Sequence, residues 1–168
     1  MFRIEITNEQ TGLSIDEARL RAAVEAVLTG QGFLRGAVSV AIVDDPAIHV
    51  LNARYLQHDY PTDVLSFLLE EGEGFVEGEV IVSAETAAVS ASRYGWTPLD
   101  ELLLYVIHGT LHLTGLDDHE PEDAAEMRRQ EARYLAPFGL TAAWQDRAPR
   151  LDPHVAANPK PLAKGSAS

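Results

Sequence analysis

TPLDELLLYVIHGTLHLTGLDDHE, residues 97–120, is the stretch whose reading decides the fold. Thr97-Pro98 opens a helix, since a proline at the first helical position lacks only an N–H that would be orphaned there anyway. Asp100, in the first turn, suits the positive end of the helix dipole. Leu99–Thr114 then forms the most apolar helix of the chain, and Gly115 stops it. Inside that helix His108 and His112 stand one turn apart on one face. A lone histidine in an apolar helix is more often a satisfied core residue than a ligand. Two of them, in surroundings where an unpaired polar group is expensive, followed at once by a helix-ending glycine and His119, favour a metal site. Three histidines leave a fourth tetrahedral position for water, which marks a catalytic rather than a structural centre. His108, His112 and His119 are therefore the expected ligands of one ion, most simply one Zn2+ per chain, although imidazole accepts other divalent transition metals. Asp117 and Asp118 are near enough to orient a histidine from behind. Gly109 stands where a His-Glu-x-x-His protease carries its general base, so peptide hydrolysis of that kind is disfavoured.

Working outward, residues 2–7 alternate Phe2, Ile4 and Ile6 against Arg3, Glu5 and Thr7, a half-buried strand. Ser14 with Glu17 reads as a capping box opening a helix whose apolar stripe is Leu20, Ala23, Val24 and Val27, ending at Gly30. Val38, Val40 and Ile42 read as a strand. Asp45-Pro46 reads as the cap and first position of a second helix, with Ile48, Leu51 and Tyr55 on one face. Asp59-Tyr60-Pro61-Thr62-Asp63 is a turn, Val64–Leu69 a strand, Gly72 and Gly74 a loop, and Gly78–Val82 another strand. Ser83 caps a helix of small residues running to Gly95. Pro121 begins the last helix, acidic first and richer in Arg128, Arg129 and Arg133 later, as the dipole favours. The expected fold is α+β, in α/β-like layers: a mixed sheet of about four strands packed with about five helices, with the metal site on the most apolar helix.

The chain has 168 residues, 46% hydrophobic and 23% charged, which suits one globular domain, placed at 1–145. From Asp146 the composition turns to Pro, Ala, Lys and Ser without periodicity, so 146–168 is expected to be a disordered tail. No apolar run reaches the roughly 18 residues of a membrane span, and the N-terminus lacks a signal peptide's pattern. A cytoplasmic protein with no membrane partner follows. Cysteine is absent, which excludes disulfides and leaves His, Asp and Glu as metal ligands. A net charge of −13 repels phosphate backbones, so a nucleic-acid substrate calls for a local cleft, a metal or a delivering partner. His49 and His58 read as surface residues, and Trp96 and Trp144 as packing residues. The arginines of the last helix read as a solvated face.

Several blocks resemble the YbeY-like bacterial rRNA-maturation endoribonucleases. The family signature His-Gly-x-Leu-His-Leu-x-Gly-x-Asp-His is similar to the run from His108 to His119. Asn-x-x-Tyr-Arg-x-x-Asp-x-Pro-Thr-Asp-Val-Leu-Ser-Phe resembles Asn52–Phe67, and Gly-Asp-Ile-x-Ile-Ser resembles Gly78–Ser83. The resemblance covers about residues 1–140. It implies a metal-dependent endoribonuclease acting on single-stranded RNA in rRNA processing and small ribosomal subunit maturation, where the metal activates a water, polarises the scissile phosphate, or does both. The implied partners are rRNA and the small ribosomal subunit with its proteins, and no DNA. Carried over by position, His108, His112 and His119 are the zinc ligands, while Asp63, Ser66 and His108 are catalytic residues. Asp63 and Ser66 have a plain alternative as a turn cap and a buried strand hydroxyl. Two departures stand out. Leu56 replaces the family arginine, a natural phosphate-holding group, and neither Arg54 nor His58 reproduces its direction on a helix. An added Asp between Gly115 and His119 lengthens the second interval, and the alternative there is that Asp117 or Asp118 is itself a ligand. The competing reading is a ribosome-assembly factor, non-catalytic or weakly catalytic, that retains a structural metal. A third is a hydrolase of some other substrate.

Overall fold

A computed structural model describes residues 1–56 and 63–141, without the side chain of residue 56. The Asp59–Thr62 part of the expected turn, His58, Trp144 and the whole tail 146–168 lie outside the described residues. Four strands, β1 (Phe2–Asn8), β2 (Arg35–Val43), β3 (Val64–Gly72) and β4 (Phe75–Ser83), form one mixed sheet in the order β1-β2-β4-β3. β1, β2 and β4 run parallel, and β3 pairs antiparallel with β4. Five α-helices accompany them: α1 (Glu17–Gly30), α2 (Asp45–Leu51), α3 (Ala84–Tyr94), α4 (Pro98–Leu113) and α5 (Pro121–Leu135). The fold is α+β, as the sequence pattern predicts.

Every residue of α4 from Glu101 to Leu113 is buried. A helix apolar all round is stable only when wrapped on all sides, and here α1, α3, α5, β3 and β4 all pack on it. The sheet face beneath it carries Val38, Val40, Ile42, Val64, Leu68, Val76, Val80 and Val82. The alternate residues Val43, Leu65, Phe67 and Ile81 point the other way, where Ile48 of α2 closes a second, smaller core. That two-sided burial explains why Val64-Leu65 and Phe67-Leu68 of β3 and Val80-Ile81-Val82 of β4 are consecutive apolar residues rather than alternating ones.

Helix and sheet approach closely because each offers a glycine to the other. A Cβ at Gly109 of α4 would lie 2.6 Å from Val80 Cγ1 and 3.0 Å from Val64 Cγ2. A Cβ at Gly78 of β4 would lie 2.7 Å from Leu113 Cδ2. Gly109 is therefore required by packing, in addition to what its identity says about protease chemistry.

Thr97 caps α4 in a full capping box with Asp100, and Ser83 caps α3 by accepting from the Thr86 amide at 3.1 Å. Two starts differ from expectation. Asp16, rather than Ser14, caps α1 by accepting from the Arg19 amide. Asp44, rather than Asp45, caps α2 by accepting from the Ala47 amide. Asp45 instead accepts from the hydroxyls of Ser83 and Thr86, at 2.5 and 2.8 Å, tying α2 to the start of α3. Past α2 the backbone widens into a π-helical turn over Asn52–Leu56. This shifts the phase of the helix face, so Ile48 is fully buried while Tyr55 is exposed, its ring edge-on to Phe67 with centroids 5.8 Å apart.

Candidate metal centre

His108 and His112 occupy the last two turns of α4, with rings 4.6 Å apart and nearly perpendicular at 81°. Each has its outer nitrogen engaged. His108 Nδ1 lies 2.5 Å from Glu131 Oε2 of α5, and His112 Nδ1 lies 2.9 Å from the Leu116 carbonyl. A carboxylate and a carbonyl only accept, so in the neutral imidazoles both Nδ1 atoms carry the proton. Both Nε2 lone pairs then point inward, at each other, 3.1 Å apart. Gly115, at φ +107°, turns the chain after the helix and brings Asp118 across the pair. Its Oδ2 lies 3.7 Å from His108 Nε2 and its Oδ1 3.6 Å from His112 Nε2.

Two lone pairs and a carboxylate aimed at one point repel unless a cation lies between them. In a tetrahedral zinc site, metal–nitrogen bonds of 2.0–2.1 Å put the two nitrogens roughly 3.3 Å apart, close to the separation here. The donor set of His108, His112 and Asp118, with ligand atoms all within 4.8 Å of one another, can hold a metal ion. His108 is 1% and Asp118 10% exposed, so the group is dry enough for charge to act strongly.

Of the other sequence candidates, His119 stands outside this group. Its side chain is 43% exposed and its Nδ1 lies 3.2 Å from Asp117 Oδ2. Ser66 is buried on β3, where its hydroxyl donates to the Gly109 carbonyl at 2.9 Å, so it anchors the residue next to His108. Asp63 is buried just before β3, and its carbonyl accepts from the Ser83 amide at 3.0 Å. Among the arginines of α5, Arg129 is paired with Glu126 at 2.6 Å, and Arg133 lies over the Tyr134 ring. Trp96 packs on the main core, as expected. Sequence reasoning missed Glu131. The one signal available was a carboxylate at a position in register with the buried Met127, Tyr134 and Leu135 of α5.

Residues 5–139 match the family model described as endoribonuclease YbeY. This chain belongs to the YbeY family. It is similar to the endoribonuclease YbeY of Rhodopirellula baltica, with 44% identity over 145 residues, 82% of this chain and 75% of the relative. The same-named protein of Carboxydothermus hydrogenoformans is 41% identical, covering 81% of this chain and 97% of the relative. In fold it is similar to the solution structure of TM1509 from Thermotoga maritima, with a TM-score of 0.55 and 27% identity, covering 83% and 92% of the two chains.

Against the YbeY signature, the position three residues past the glycine, where the pattern has its third histidine, is Asp118. The loop after Gly115 does not absorb the added residue so as to bring His119 inward. It keeps the interval and presents the carboxylate. Arg54, close to the family arginine position held by Leu56, is exposed on the π-helical turn near the Tyr55 ring. Among the described residues no helix is long and apolar enough to cross a membrane.

Proposed function

We propose that this chain is a metal-dependent endoribonuclease that cuts single-stranded RNA and acts on rRNA during small ribosomal subunit maturation. The observation carrying the metal requirement is the convergence of His108 Nε2, His112 Nε2 and the Asp118 carboxylate on one point, with both Nδ1 protons committed elsewhere. We take these three as the ligands and one Zn2+ as the ion, since two imidazoles and a carboxylate suit zinc. A divalent cation there supplies Lewis-acid stabilisation for the charge that builds on a scissile phosphodiester. The chain's own residues prepare for it: Glu131 and the Leu116 carbonyl fix the ring orientations, and α4 with its neighbours excludes water from the inner side. Ser66 holds Gly109, and thereby the backbone beside His108, against the sheet.

RNA cleavage is supported by membership in a family described as endoribonucleases and by relatives of that name. A chain of charge −13 has no general attraction for RNA. Delivery by the small subunit and its proteins, with the metal as the local positive charge, resolves that conflict.

The test is cleavage of a labelled single-stranded RNA by metal-quantified protein, beside His112→Ala and a chelator control. Cleavage of RNA by the native protein is expected to be lost in both controls. Intact RNA with one zinc bound per chain would replace the nuclease by an assembly factor that keeps its metal for structure.

A further inference from the structure

We propose that Glu131 is a positioning residue of the metal centre, acting through His108, a proposal that rests on the reading of His108, His112 and Asp118 as ligands. α5 buries Met127, Glu131, Tyr134 and Leu135 along one stripe, and only Glu131 breaks its apolar character with a charge. A carboxylate taken out of water is expensive to keep unless its partner is well placed. Its placement is specific: Oε2 reaches across to α4 and lies 2.5 Å from His108 Nδ1, with the two side chains 3% and 1% exposed.

Three consequences follow from that contact. The accepted Nδ1–H fixes the tautomer, so in the neutral ring His108 Nε2 presents a lone pair to the ligand point. The contact also fixes the ring plane, which stands at 81° to His112. Finally, a carboxylate behind an imidazole raises the basicity of the opposite nitrogen. Among the described residues, His112 Nδ1 meets the neutral Leu116 carbonyl instead. The two histidines are thus unequal ligands, and His108 is the stronger donor because of Glu131. The two helices are also linked through the site: α5 holds a ligand on α4, so their packing and the metal centre share one contact.

The experiment measures zinc affinity by chelator competition, and the absorption spectrum of the Co2+-loaded protein, for the native chain, Glu131→Gln and Glu131→Ala. Glutamine keeps the shape and an accepting oxygen but removes the charge, whereas alanine removes both. Affinity is expected to fall about 10-fold in Glu131→Gln and about 100-fold in Glu131→Ala. The Co2+ ligand-field bands shift in both. A purely structural Glu131 would lower the melting temperature of metal-free and metal-loaded protein alike, with affinity and spectrum unchanged. Zinc affinity in Glu131→Gln within about threefold of native, with an unaltered Co2+ spectrum, overturns the proposal and leaves the metal reading standing. Failure of the native chain itself to take up zinc or cobalt brings down the metal reading, and this proposal with it.

Discussion

His108 is 1% exposed with its Nδ1 held by Glu131, whereas His119 is 43% exposed beside Asp117. Both belong to the same signature, yet only the first is brought to the ligand point. What separates them is the support behind the ring. A buried imidazole whose outer nitrogen donates to a fixed acceptor has one defined lone-pair direction. An exposed imidazole paired with an exposed carboxylate keeps its rotamers and its solvent. The comparison says that being a histidine does not by itself bring a side chain to the point where the two Nε2 atoms meet. Asp118, 10% exposed, approaches both of them.

The sharpest way to break this comparison is Asp118→Ala. If the carboxylate is a ligand, zinc affinity falls by about 100-fold or more and RNA cleavage falls with it. Equilibrium dialysis against a zinc buffer checks the affinity, and a melt of the metal-free protein shows that the fold is retained. Near-native affinity in this variant would move the third ligand elsewhere.

Next in size is Gly109→Ala, which tests the inner side of the site. On an exposed helix the change gains about 1 kcal/mol of helix propensity. Here the new Cβ meets Val80 Cγ1 at 2.6 Å and Ser66 Oγ at 3.1 Å, and Val80 is β-branched and stiff. Overpacking of that kind costs about 1–3 kcal/mol, so it wins. Urea denaturation should show a net loss of up to about 2 kcal/mol. A stabilised variant would mean that α4 rides higher on the sheet than described.

Ser66→Ala should cost less, about 1 kcal/mol, for the buried hydrogen bond to the Gly109 carbonyl. Its effect on RNA cleavage separates two roles. An anchor predicts a loss of stability with turnover reduced by less than about tenfold, whereas a catalytic hydroxyl predicts a loss of about 10²-fold or more. Denaturation midpoints and initial rates on the same preparation decide between them.

Much of this was legible in the sequence wherever the signal is local. Strand alternation, the Thr97 and Ser83 caps, and the one-turn spacing of His108 and His112 involve neighbours in the chain, and the structure keeps them. Reading failed at one local choice, where Asp16 caps α1 two residues after Ser14, and otherwise where a distant group decides. Asp44 and Asp45 are equally good caps by type, and only Ser83 and Thr86, brought in by α3, draw Asp45 away. Glu131 lies on another helix from its histidine, and no spacing rule connects them. Which residue after Gly115 approaches the pair depends on how that loop spends one extra residue: residue type favoured His119, and the backbone brings Asp118 near both Nε2 atoms.

The smallest effect is expected at His119. Its replacement by alanine removes an exposed pair with Asp117, worth less than about 1 kcal/mol, and touches neither Nε2 atom nor Asp118. Zinc affinity should change by less than about threefold, as chelator competition would show. The two single variants and the double then form a cycle. If Asp118→Ala is severe and His119→Ala is mild, and the double equals Asp118→Ala alone, the ligand set is two imidazoles and one carboxylate. If His119→Ala is instead as severe as Asp118→Ala, the segment after Gly115 must turn when metal binds and bring both residues inward. The exposed position of His119 would then belong to the metal-free protein, and His108 and His119 would differ in when they are held rather than in whether they are.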